Sequence, residues 1–322
     1  MPDPTPGSEA VHLPRAARDA AGAASRTAAE KASAFAHPPV APEATAAYGQ
    51  HPDQVIDFYR PRGARPGRPA PLVVLFHGGA WREPYDRRHL SPLAAYLAGH
   101  GLAIASVEYR RGAASVPAPA SASAPVPESA AGPGAGRWPE TLDDAAAAVD
   151  AAPALAVAAL GEQAVDPRRL VLAGHSAGGQ LALWAAARHV LPPDSRWHSA
   201  SPPPLRGVVA LAPIADFGSA IRLRVCSGAV VEFLGGPEHA ETRQSHADPA
   251  MLLPTGIAVT IVQGTTDNDV PPQVAEAFAA ASALAGEEVQ LTLLEATGHF
   301  PLIDPSAEAA AVVAEEIAQL AW

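Results

Sequence analysis

The chain has a single cysteine, Cys226, among 322 residues. That excludes an internal disulfide and any metal site built from several thiolates. No His-Glu-x-x-His stretch and no clustered His/Asp spacing points to a catalytic metal, although twelve histidines are scattered along the sequence. No metal and no other cofactor is expected. No run reaches the roughly 18 uninterrupted apolar residues of a membrane span, and the opening segment, rich in Ala and Pro, holds no apolar core of signal-peptide length. Together these absences predict a soluble, cytoplasmic protein with no membrane partner. Basic residues are the minority, 22 against 33 acidic ones, for a formal charge of −11. A charge of that sign speaks against nucleic acid or an anionic surface as partner and is read as solubility. The oligomeric state is left open by the sequence.

The 48% of apolar residues excludes wholesale disorder and allows a large single core. The most telling segment is Gly174-His175-Ser176-Ala177-Gly178. It follows the apolar run Leu170-Val171-Leu172-Ala173 and leads into the helix-like Leu181-Ala182-Leu183-Trp184. A serine on a sharp strand-to-helix turn presents its hydroxyl outward, free to attack a carbonyl. Glycines at 174 and 178 leave room for the turn and for close packing of helix on strand. A free hydroxyl is a poor nucleophile at neutral pH. It needs an imidazole to take its proton and a carboxylate to orient that imidazole. Downstream, the apolar run 259–262 leads to Asp267, and the run 289–294 leads to Gly298-His299-Phe300. Ser176, Asp267 and His299 thus each follow the end of a predicted strand, in the chain order Ser, Asp, His. Asp269, Asp216 and Glu295 compete with Asp267 for the acidic role. Upstream, the strand Leu72–Phe76 runs into His77-Gly78-Gly79-Ala80-Trp81, whose small residues let backbone N–H groups approach a ligand oxygen. The N–H groups of Gly79, Ala80 and Ala177 are the candidate oxyanion hole. Trp81 either contacts substrate in the pocket or packs beneath the loop. His77 and His175 are expected to hold the loop and the turn by hydrogen bonds rather than to transfer protons.

On these segments, with Val107–Gly112 (VEYRRG), Gly264–Pro271 (GTTDNDVP) and Gly298–Asp304 (GHFPLID), the chain resembles the α/β-hydrolase superfamily over roughly residues 50 to 320. More narrowly it is similar to the esterase branch with His-Gly-Gly motifs, which includes hormone-sensitive-lipase-like esterases and kynurenine formamidases. Ala80 stands where the first of these usually carry a third glycine. The His-Gly-Gly-x-Trp form is more similar to the second. The resemblance implies an α/β-hydrolase fold, a mostly parallel twisted sheet with helices on both faces, and favours Asp267 as the acid of the triad. It implies a small-molecule ester or amide as substrate. Short-chain carboxylic esters come first, an aryl formamide such as N-formylkynurenine second, and peptides of the prolyl-oligopeptidase type third. A hydrolase-fold binding protein without turnover is the competing class.

The alternation of strand and helix patterns itself predicts a parallel sheet covered on both faces. Residues 1–46 are read as an Ala/Pro-rich arm or a small cap over the pocket, with composition favouring the arm. Residues 47–322 form the hydrolase domain, interrupted by a Pro/Ala/Ser-rich insertion at 113–136. Thr141 is a candidate N-cap for a helix over 142–160 that Pro153 kinks or splits. The stretch 214–254 predicts one or two helices forming a pocket wall.

Overall fold

The computed structural model describes residues 15–63, 67–112 and 135–322. The expected insertion falls mostly outside them; only its end, Ala135 and Gly136, lies within. Eight strands form one sheet: β1 (Ala44–Ala47), β2 (Val55–Tyr59), β3 (Ala70–Phe76), β4 (Ala103–Val107), β5 (Val165–His175), β6 (Leu205–Leu211), β7 (Val259–Gly264) and β8 (Val289–Leu294). Their spatial order is β1-β2-β4-β3-β5-β6-β7-β8. The first two strands join antiparallel, and β4 through β8 run parallel to one another.

The central strands are apolar on both faces because both are covered. Along β3, Leu72, Val74 and Phe76 enter one core while Val73 and Leu75 enter the other, as the two-residue period of a strand requires. The first core is closed by α3 (Glu140–Leu160), α4 (Ala177–Ala186) and α8 (Pro272–Leu284). The second is closed by α2 (Ser91–Gly99) and α9 (Glu308–Ala321). Pro153 does not split α3, which runs unbroken through it. The residue at its cap is Pro139, so Thr141 falls inside the first turn. The threonine hydroxyl donates to the Arg110 carbonyl at 2.6 Å and accepts from the Arg137 N–H at 2.9 Å. The stretch 214–254 is richer than expected: it folds into α5 (Phe217–Arg222), α6 (Ala229–Phe233) and α7 (Pro237–Ala247).

Residues Arg15–Ala36 form a 22-residue helix, α1, and β1 begins at Ala44, already in the sheet. Helix α1 is held by side chains rather than by a broad apolar face. Ser33 donates to Asp304 Oδ2 at 2.5 Å, and His37 Nε2 stands 2.8 Å from Asp304 Oδ1. Composition could not show these partners, because they lie about 270 residues downstream. No helix among the described residues is long and apolar enough to cross a membrane.

One buried ion pair ties α3 to the loop after β4. Asp144, fully buried, accepts from Arg110 through Nη2 (2.6 Å), Nε (2.8 Å) and the backbone N–H (2.8 Å), and from Gln54 Nε2 (2.6 Å). Removing one partner of such a pair strands the other charge and typically costs about 3–5 kcal/mol. Asp144→Ala is therefore expected to lower unfolding stability by about that amount, read as a drop in the denaturant midpoint at constant slope.

Candidate active site

The parallel strands end on one edge, where ligands bind in sheets of this kind, and each expected functional residue follows such an end. Ser176 joins β5 to α4 with φ 56° and ψ −118°, a left-handed conformation in a residue with a β-carbon. Its N–H donates to the Leu211 carbonyl at 2.8 Å, and its own carbonyl accepts from Gln180 N (3.1 Å) and Ile214 N (3.3 Å). A β-carbon on Gly178 would collide with the carbonyls of Phe76 and His77, and one on Gly174 with the backbone of Gly178 and Gly179. Both positions thus require glycine, for close backbone approach.

Asp267 and His299, on the loops after β7 and β8, are paired: Nδ1 of the imidazole donates to Asp267 Oδ2 at 2.7 Å, with both residues buried. The other carboxylate oxygen accepts the N–H groups of Asp269 and Val270, each at 2.9 Å. Gln263, fully buried, donates to Oδ2 at 3.3 Å. Of the acidic residues that compete for this place, Asp267 alone pairs with the histidine. Asp216 accepts from Ser219 N at the start of α5, and Glu295 accepts from Thr265 at an exposed position. Burial acts to lower the His299 pKa, but the Asp267 charge and hydrogen bond, with Asp269 and Glu30, outweigh it and raise the pKa above the ordinary 6.5. His175 does the reverse. Burial and the neighbouring His299 hold it well below 6.5, and its Nε2 donates to the His299 carbonyl at 3.1 Å.

Ser176 and His299 line a single cavity of about 220 Å³, with Gly79 and Ala80 on its wall. No hydrogen bond joins the Ser176 hydroxyl to the His299 ring among the described residues; such contacts are often long before substrate binds. Gly79 (φ 107°) and Ala80 (φ 53°) turn the loop after β3. Their N–H groups donate to no acceptor among the described residues. The N–H of Ala177, at the first position of α4, is one that a helix leaves unpaired.

Of the two places open to Trp81, the structure puts it beneath the loop rather than on the cavity wall. It is fully buried and does not line the cavity. The indole stacks on Phe233 at 4.5 Å and meets Phe217 edge-on at 6.2 Å, burying a large apolar area beneath the loop. Its carbonyl accepts the N–H groups of Gly112 (3.1 Å) and Gly136 (2.8 Å), tying the loop to both ends of the 113–136 segment.

Sequence reasoning missed Glu108. It is 2% exposed and accepts from His77 Nε2 (2.9 Å), Arg111 Nη1 (2.5 Å) and the Arg87 N–H (3.1 Å). Burial would raise its pKa, but His77 and Arg111 outweigh that and hold it at about 2. His77 in turn brings Nδ1 to 2.8 Å from the Gly78 carbonyl, so Glu108 fixes the loop through it. Its only signal in the sequence was a carboxylate flanked by Val107 and Tyr109 at a strand end. Sequence reasoning also missed Lys31 and Phe35 of α1, which line the cavity.

No family model matches the chain, and no curated protein matches its sequence. Solved structures do match in fold. Esterase B from Lactobacillus rhamnosis is 18% identical, with 95% of each chain covered and a TM-score of 0.64. A thermophilic esterase from the planctomycete Thermogutta terrifontis is 21% identical, covering 86% of this chain and 90% of that one, with a TM-score of 0.58. A truncated carbohydrate esterase from gut microbiota is 15% identical, covering 88% and 99%, with a TM-score of 0.63. These likenesses establish the α/β-hydrolase fold.

The Asp267–His299 coupling can be read directly. Ring-proton NMR is expected to show His299 titrating above 6.5, and Asp267→Asn is expected to move that titration downward. Because the folded-state pKa is raised, the coupling stabilises the fold fully below 6.5 and is lost as pH rises through the folded value.

Proposed function

We propose that this protein is a serine hydrolase that cleaves small carboxylic esters. The observation that carries the reading is the convergence, in one cavity, of a serine on a strained strand-to-helix turn with a histidine paired to a buried aspartate behind it. Ser176 is the nucleophile, His299 the general base and Asp267 the residue that holds the imidazole tautomer and stabilises its charged form. His299 takes the hydroxyl proton as Ser176 attacks the carbonyl carbon. The N–H groups of Gly79, Ala80 and Ala177 receive the oxyanion. His299 then protonates the departing alcohol, and water, deprotonated by the same imidazole, hydrolyses the acyl-enzyme. The base must be neutral, so kcat/KM rises with pH through the His299 titration.

A cavity of about 220 Å³ suits a short acyl chain. Two fold relatives are consistent with that size: esterase B is described with a C4-C4 tributyrin phosphonate, and the Thermogutta esterase with propionate and butyrate bound. The esterase neighbours lend the formamidase alternative no support.

Ser176→Ala is expected to lower kcat on p-nitrophenyl butyrate by roughly 10⁶-fold while leaving the melting temperature within a few degrees or raising it, since the strained serine is relieved. A fluorophosphonate is expected to label Ser176 alone. Across p-nitrophenyl acetate, butyrate and octanoate, octanoate is expected to be the poorest substrate. Retained turnover in Ser176→Ala would overturn the reading.

A further inference from the structure

The chain contains one lysine. Of its 22 basic residues, 21 are arginine, and the exception, Lys31, lines the cavity that holds Ser176 and His299. It reaches that wall from α1. Among the described residues its ammonium donates once, to the Tyr85 hydroxyl at 2.9 Å, and has two further protons to give. The rings of Tyr85, Phe300 and Phe35 surround it at 5.4, 5.6 and 5.8 Å. Those distances are close to the outer limit of a useful cation–π contact, so the rings fix the position of the charge without neutralising it.

Most of the carboxylates nearby are engaged elsewhere. Glu30 accepts from Gly298 N at 3.2 Å. Asp304 accepts from Ser33 and Ser306 and pairs with His37. Asp267 is taken by His299. Asp269, the acidic residue on the cavity wall, makes no ion pair with Lys31, and Arg82, the other cation there, is paired with Glu232 at 3.3 Å. Acidic residues outnumber basic ones by 33 to 22, so a shortage of carboxylates does not explain an ammonium that has none among the described residues. A cation held at the wall of a partly desolvated cleft, with donors unspent, is a receptor for an anion that arrives from outside.

We propose that Lys31 is a specificity-determining residue that binds a carboxylate of the substrate, so that the preferred substrates are small esters carrying a carboxylate on the acyl or the alcohol part. The proposal rests on the ester-hydrolase reading above. A purely structural role, clamping α1 to Tyr85, would affect charged and uncharged substrates alike.

Two matched pairs test this and separate the two positions of the charge: mono-p-nitrophenyl adipate against p-nitrophenyl hexanoate, and 4-acetoxybenzoate against 4-acetoxybenzamide. Wild-type protein is expected to favour the anionic member of at least one pair. In Lys31→Met, which keeps the length of the stem, the anionic-to-neutral ratio of kcat/KM is expected to fall by about tenfold or more, whatever the absolute rates. Lys31→Arg is expected to retain much of the ratio. Free adipate is expected to slow acylation of the Lys31 amine in wild-type protein, followed by peptide mapping. If neutral esters are cleaved and the ratios do not move in Lys31→Met, this inference falls and the hydrolase reading stands. If no ester of either kind is cleaved, the hydrolase reading itself fails.

Discussion

Everything at the open edge of the sheet hangs on the left-handed backbone at Ser176. A residue with a β-carbon resists that conformation at a cost of order 1–3 kcal/mol and keeps it only where its surroundings over-determine it. Here they do. The N–H is drawn to the Leu211 carbonyl on β6, while Gln180 and Ile214 hold the carbonyl. The glycines on either side let α4 close onto the ends of β3 and β5. Ala80 and Trp81 repeat the feature across the cavity, at φ 53° and 54°. Both turns that face the cavity thus hold strained backbone, and the parallel sheet behind them bears it.

Around those turns one arrangement repeats: three buried carboxylates each have partners placed by a different element. Glu108, at the end of β4, gathers His77, Arg87 and Arg111. Asp144, on α3, gathers Arg110 and Gln54. Asp267, after β7, takes His299 from the loop after β8. The loops are short of regular structure, yet each is pinned at a carboxylate, which is how irregular backbone can hold donors in fixed positions. A chain with an excess of acidic side chains has the material for such pins.

The sheet was legible because its strands carry largely apolar runs ending in turn residues; β8 begins and ends with the run 289–294, and β3 ends with the run Leu72–Phe76. Ser176, Asp267 and His299 were legible for the same reason: each follows such a run, and strand direction brings their loops to one edge. What stayed hidden depends on long-range packing. Trp81 belongs beneath the loop because Phe217 and Phe233, some 140 residues later, provide the surface it stacks on. Glu108 has no local pattern that marks it as a hub. The choice between arm and cap for the N-terminal segment stayed open because the anchors of helix α1, Gly298 and Asp304, lie near the other end of the chain.

Helix α1 lies outside the sheet, is contiguous in sequence, and contributes to the cavity wall without supplying any member of the Ser–His–Asp set. One face of the cavity wall, Lys31 and Phe35, is therefore written in a stretch of chain apart from the sheet. Exchange of that helix would change this face, but Glu30, which accepts from Gly298 N beside His299, would have to be kept.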